Sequence, residues 1–282
     1  MCDEILRFTR STLERHGYAG AVIGISGGID SAVVAALAAR ALGTSRVLGV
    51  ILPERDSAPE TLRDARAVCD HLGIERTMKP ITRALRAMGV YRLQPPAFFL
   101  PRRLQERYVM KRLEAIGKDA AYLQDLEGRG DSDFLRALAY YRVKHRVRMA
   151  CLYLEAEKRN YAVLGTTNRT EALTGLYVKW GDEAADIEPI RHLYKTQVCD
   201  LGRELGIPAA IRSKAPSPDL IPGITDELVL GMTYSELDSI LIGLERGDEI
   251  VHPDPGKVER VRRILAAAPR RALRNLAYRD PP

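Results

Sequence analysis

Six consecutive residues, Ser26-Gly27-Gly28-Ile29-Asp30-Ser31, carry the first chemistry in this chain. Two adjacent glycines let the backbone bend with no Cβ in the way. A turn built so aims N–H groups and the positive end of the next helix at one point, which suits a phosphate. Ser26 and Ser31 add hydroxyl donors. Asp30 is out of place at a bare anion site, because a carboxylate repels phosphate. It fits if it holds Mg²⁺, which then bridges to the phosphate oxygens. The plainer alternative is a tight turn with Asp30 as a helix cap. The hexapeptide has no Walker lysine.

The flanking residues say what must hold this loop. Ala21 to Ile25 is an apolar run that reads as a buried strand. Ala32 to Leu42 is a run of helix formers closed by Gly43. A helix over 3–16 precedes them, with Ile5, Leu6, Phe8 and Leu13 on one side. Arg46 to Leu52 reads as a second buried strand, and Ser57 and Glu60 have the spacing of a capping box opening a helix that Gly73 ends. Alternating strands and helices with short links predict an α/β fold: a doubly wound, mostly parallel, Rossmann-like sheet with helices on both faces. Its site belongs at the carboxyl ends of the strands.

Further along, Phe134 to Asn160 reads as one long helix, with Val143, Val147, Cys151 and Leu154 as its core stripe and Arg142 and Arg146 on a neighbouring face. Tyr161 to Gly165 is a third buried strand running into a polar loop from Thr166. Glu171 in that loop would set a second carboxylate near Asp30, a reasonable Mg²⁺ shell once phosphate oxygens and waters join it. Residues 90–132 break the pattern, with an Ala97-Phe98-Phe99-Leu100 plug and a basic run. A lid, an interface arm, a nucleic-acid contact and a solvated surface insertion all remain open there.

Composition narrows the class. The chain has 282 residues, 46% hydrophobic and 28% charged, as a globular protein does. No apolar run would cross a membrane, and the start, MCDEILRFTR, has no signal-peptide pattern. Four scattered cysteines without a C-x-x-C fit a reducing cytoplasm and argue against zinc or disulfides. The net charge of +6 suits ATP and a phosphorylated substrate as well as it suits nucleic acid.

The hexapeptide resembles the pyrophosphate loop of the ATP pyrophosphatases, the adenine nucleotide α-hydrolase superfamily. With LGTTNRTEALTGLYVKWGD, DIEPIRHLYKTQV, KAPSPDL and ITDELVLGMTYSELD following in order, the chain resembles the ammonia-dependent NAD synthetases, over about residues 20–81 and 142–245. The resemblance implies that ATP adenylates the carboxylate of nicotinic acid adenine dinucleotide (deamido-NAD), releasing pyrophosphate, and that ammonia then displaces AMP. It implies that Gly24, Ile25, Ser26, Gly27, Gly28, Ile29, Asp30 and Ser31 cradle the phosphates, with the adenine against Val50-Ile51-Leu52. Thr166, Lys195 and Ser217 fall at ATP-contacting positions, and Asp30 and Glu171 match the Mg²⁺ ligands. Arg146, Lys179 and Asp186 match positions that hold the dinucleotide; Asp30, Lys195 and Asp186 are the residues expected to serve the chemistry.

Departures from the family pattern gather on the acyl-substrate side. Arg142 stands where Asn is common, Glu183-Ala184 replaces Gly-Gly, and no His-Lys pair is recognisable near the C-terminus, where Arg270 and Arg271 could substitute. They motivate a rival, a related ligase amidating another carboxylate. A tRNA-modifying relative and a non-catalytic nucleotide binder are further rivals. The first lacks cysteines within the matched motifs, and the second would not need both carboxylates and Lys195. The whole chain reads as one NAD-synthetase-like domain with the 90–132 insertion and a basic tail from about 256. The length leaves no room for an amidase domain, so free ammonia or a separate glutaminase subunit supplies the nitrogen. The resemblance also implies a homodimer.

Overall fold

The structure is a computed structural model that describes residues 1–94, 104, 107, 110–111, 117–214, 225–248, 250 and 252–273. Helix α1 (Cys2–Arg15) leads into β1 (Gly20–Gly24), α2 (Ile29–Leu42), β2 (Val47–Ile51), α3 (Pro59–Leu72), β3 (Glu75–Met78) and α4 (Thr82–Ala87). Then come α5 (Lys118–Glu127), the long α6 (Ser132–Glu157), β4 (Tyr161–Val163) and α7 (Arg169–Thr174). The remainder is helical: α8 (Lys195–Glu204), α9 (Ala209–Arg212), α10 (Asp226–Leu230), α11 (Tyr234–Arg246), α12 (Pro255–Ala267) and α13 (Pro269–Ala272).

The four strands lie in the order β3-β2-β1-β4, all parallel. Alternate residues face opposite sides, as the pleat requires. Ala21, Ile23, Val47, Ile51 and Ala162 pack against α1, α2, α3 and α8. Val22, Leu48, Val50 and Val163 pack against Leu85 of α4 and Met149, Leu152 and Ala156 of α6. The predicted doubly wound sheet is therefore present. Its strand order reverses between β1 and β4, and ligands bind such sheets in the crevice outside that reversal.

Helix α6 has 26 residues, about 39 Å, against about 17 Å for a five-residue strand. It runs antiparallel to the strand it precedes, so its C-terminal half covers the sheet and its N-terminal half rises past the strands' carboxyl ends. The predicted stripe on it is displaced. Val143, Val147 and Cys151 pack only partly, and Leu154 is 54% exposed. The buried face instead carries Leu138, Lys144, Met149, Leu152, Glu155 and Ala156.

Two other expectations change. Ser57 does not cap α3: Ala58 is the N-cap, Pro59 opens the helix, and the Ser57 hydroxyl accepts from the Glu54 N–H at 3.1 Å. Part of the 90–132 segment is no solvated excursion. Tyr122 and Leu126 of α5 are buried in a separate core with Leu230, Leu237, Ile240 and Val261. The Ala97–Leu100 plug lies outside the described residues.

Candidate active site

The glycine loop closes on itself. Ser31 Oγ donates to the Gly28 carbonyl at 3.1 Å, accepts from the Ser26 N–H at 3.3 Å and lies 3.1 Å from Ser26 Oγ. Ser26 Oγ also accepts from the Gly28 N–H at 3.3 Å. Gly24 ends β1 and Ile25 is buried behind the loop. Gly27 has φ +75°, and a Cβ there would lie 2.9 Å from the Thr61 carbonyl of α3. Gly28 is the N-cap of α2, so Ile29 and Asp30 occupy the first helical turn. The positive helix end thus faces the space above the loop.

From the other side of the reversal comes the β4 loop. Thr166 follows it, half-buried. Asn168 caps α7 in a reciprocal box: its side chain accepts from the Glu171 N–H at 3.0 Å, and Glu171 Oε2 accepts from the Asn168 N–H at 3.2 Å. The buried Asn168 amide also donates to Asp30 Oδ1 at 3.0 Å. One side chain therefore ties the two loops together. The N-R-T-E spacing was a legible signal for this cap; its second bond, to Asp30, was not.

Lys195, 3% exposed at the start of α8, completes the cluster. Its ammonium pairs with Asp30 and lies 3.7 Å from Glu171 Oε1. Burial opposes that charge, yet Asp30 and Glu171 outweigh it and raise the Lys195 pKa. Burial, then the Asp30 charge, pushes the Glu171 carboxyl well above its usual range, with Lys195 opposing. Thr170 and Asp238 fix α7 against α8: Thr170 Oγ1 donates to Asp238 at 2.6 Å, and the Thr196 N–H donates to the same carboxylate at 2.8 Å. The Asn168 bond to Asp30 and the roles of Thr170 and Asp238 arise only from tertiary contact, which no local pattern announces.

The remaining expected residues fall elsewhere. Ser217 lies outside the described residues. Asp186 is not brought to the Asp30 cluster. Its carboxylate accepts from the Val163 N–H at 2.8 Å and from the Tyr153 hydroxyl at 3.2 Å, finishing the outer edge of β4. Arg146 and Lys179 do meet: Arg146 Nε donates to the Lys179 carbonyl at 3.2 Å, and the Lys179 ammonium lies 5.1 Å from the Trp180 ring centre. Arg142 and Arg271 converge on Asp125 of α5, at 2.7 and 3.0 Å. Arg271 also donates to the carbonyls of Gly175 and Tyr177, so it is spent on structure, while Arg270 is exposed.

Asp30 and Glu171 offer oxygen donors of the hard kind that Mg²⁺ takes, and Lys195 already lies where they accept a cation. Among the described residues no group of three or more His, Cys, Asp or Glu side chains could enclose a metal. The set fits an ion held by two carboxylates with phosphates and water completing it.

A glycine loop, a helix N-terminus and a carboxylate pair at the reversal point of a parallel sheet define a nucleotide-handling α/β protein of the adenine nucleotide α-hydrolase kind. The chain belongs to the NAD synthase family, whose model matches residues 1–124 and 120–268. It is 56% identical over 265 residues to the NH₃-dependent NAD⁺ synthetase of Thermotoga neapolitana, covering 94% of this chain and 91% of that one. Over 251 residues it is 43% identical to the NH₃-dependent NAD⁺ synthetase of Coprothermobacter proteolyticus, covering 87% and 83%. The NMN synthetase structure from Francisella tularensis superposes with a TM-score of 0.75 at 27% identity, covering 99% and 97%.

Proposed function

We infer that this protein is a ligase of NAD biosynthesis that uses ATP to amidate deamido-NAD with ammonia. The observation that carries the reading is the convergence of Asp30, Glu171 and Lys195 above the glycine loop, in a chain so similar to NH₃-dependent NAD⁺ synthetases. In this reading the loop from Gly24 to Ser31 and Thr166 hold the ATP phosphates, with Ser217 beside them. Asp30 and Glu171 hold Mg²⁺, which neutralises phosphate charge when bound. Lys195 turns from the carboxylates to the phosphates and stabilises charge on the leaving pyrophosphate. Arg146 and Lys179 bind the dinucleotide. Asp186, bonded to β4, fixes the segment leading away from Lys179.

A second acceptor has a specific observation behind it. The F. tularensis neighbour is an NMN synthetase, and the departures here, Arg142 and Arg271 on Asp125, lie on the acyl-substrate side. Amidation of deamido-NMN is the competing reaction.

The enzyme acts as a homodimer in the cytoplasm, with ammonia free or delivered by a separate glutaminase. Leu135, Ala139, Ala150 and Leu154 lie exposed on α6 among the described residues, apolar side chains that support self-association. Four free cysteines suit a reducing compartment, and no helix among the described residues is long and apolar enough to cross a membrane.

The test is pyrophosphate release with ATP, Mg²⁺ and ammonium, offering deamido-NAD or deamido-NMN and following the amide by mass. NAD appearing with dinucleotide-dependent release is the expected result. Release with deamido-NMN alone would move the assignment to the second acceptor, and release with neither would overturn both.

A further inference from the structure

Lys195 has two kinds of partner. Asp30 and Glu171 are the carboxylates. The other is Tyr234, the first residue of α11, whose ring centre lies 5.2 Å from the ammonium. The Tyr234 hydroxyl donates to Asp226 Oδ2 at 2.9 Å, and the Tyr234 N–H donates to Glu227 Oε1 at 3.0 Å. Both acidic residues open α10, which Thr225 caps by accepting from the Leu228 N–H at 3.2 Å. Tyr234 thus bonds the start of α10 twice while its ring faces the lysine.

We propose that Tyr234 and Asp226 are positioning residues that hold Lys195 in place when Asp30 and Glu171 turn to the metal. The proposal rests on the reading of that pair as Mg²⁺ ligands. A divalent ion held by Asp30 and Glu171 would repel the ammonium and take over their charge. A buried ammonium that loses its carboxylate partners is costly, and a contact that persists through the exchange keeps Lys195 aimed as it passes to the phosphates. The Tyr234 ring attracts a cation through its π face. Asp226 accepts the Tyr234 hydroxyl and so fixes how the ring is presented to the ammonium. Lys195 therefore has an exchangeable set of partners and a standing set, and only the standing set serves the loaded state.

The experiment compares Tyr234→Phe, Tyr234→Leu and Asp226→Asn with the parent in two readouts: calorimetric affinity for ATP with and without Mg²⁺, and pyrophosphate release. A desolvated cation–π contact predicts that Tyr234→Leu loses about twentyfold in Mg²⁺-dependent ATP affinity and in kcat. Tyr234→Phe keeps the ring and loses only the Asp226 bond, so its loss is the smaller, about threefold, comparable to Asp226→Asn. Metal-free ATP affinity and the KM for the dinucleotide stay near parental in all three, because Asp30 and Glu171 then still hold Lys195. Equal losses with and without metal would show a merely structural role and overturn the proposal, as would parental behaviour of Asp226→Asn and Tyr234→Phe together. Were Tyr234→Leu to misfold, those two isosteric variants decide. Absence of pyrophosphate release by the parent itself would instead refute the proposed reaction, and the affinity arm would still judge these residues.

Discussion

Replacing Lys144 with Met probes the part of α6 that rises above the sheet. Lys144 is fully buried, its ammonium 2.8 Å from Glu54 Oε1 and 2.9 Å from Asp56 Oδ2, with the Tyr140 ring centre at 4.1 Å. Among the described residues Glu54, equally buried, keeps only the Tyr91 hydroxyl at 2.9 Å on its carboxylate when the lysine is gone. Removing one partner of a buried pair costs about 3–5 kcal/mol, because the other charge stays behind uncompensated. Each kcal/mol moves the melting point of a large domain by about 2–4 °C, so Lys144→Met should melt at least about 6 °C below the parent. Adding Glu54→Gln removes the stranded charge and should recover a good part of that loss.

A pH scan gives an independent reading. Burial works to raise the Asp56 pKa, but Arg55, Lys144 and Tyr140 outweigh it and hold the carboxyl down at about 2 instead of 3.8. A depressed folded-state pKa gives stability that is full above about 3.8 and lost as pH falls toward 2. Without Lys144 the acid transition should begin at higher pH. Scanning calorimetry at neutral pH and circular dichroism across pH 2–5 measure both effects. Melting within about 2 °C of the parent, or a double variant no better than the single one, would refute the view that Lys144 neutralises buried acid.

Asp30→Asn should abolish Mg²⁺-dependent pyrophosphate release while leaving the fold intact; near-normal turnover would remove Asp30 from the metal site. Gly27→Ala forces a side chain into φ +75° and 2.9 Å from the Thr61 carbonyl, so about 1–3 kcal/mol of strain and weaker ATP binding should appear by melting and calorimetry. Leu154→Asp puts a charge on the exposed α6 face and should convert a dimer to monomer in sedimentation velocity with little change in monomer stability. A variant that stays dimeric would place the interface elsewhere.

The strand–loop–helix unit around Asp30 could be read because its signals are local: an apolar run, two glycines and an alanine-rich helix. Strand β3 could not. Glu75, Arg76 and Met78 are exposed at the sheet edge, so no burial pattern marks them, and they are a strand only because β2 offers hydrogen bonds. The period of α6 was legible but its phase was not. Leu154 looks like core by type and faces outward, while Lys144 looks like surface and is the buried one, since its partners Glu54 and Asp56 lie some ninety residues away. The site divides the same way. Asp30, Glu171 and Lys195 declare themselves through motif context, whereas Asn168 and Tyr234 gain meaning only when β4 lies beside β1 and α11 beside α8.

The extra length of α6 also makes the helix a fixed phase relation. Each residue turns a helix by about 100°. One residue inserted near Met149 would leave Leu152 and Ala156 on the sheet but rotate Tyr140, Arg142, Lys144 and Arg146 off their marks together. Lys144 would leave Glu54, Arg142 would leave Asp125, and Arg146 would leave the Lys179 backbone in a single step. Point changes can be absorbed one contact at a time; a change of length cannot. The helix thus carries one phase from the core to the arginines above the sheet, and its count constrains it as strictly as its letters do.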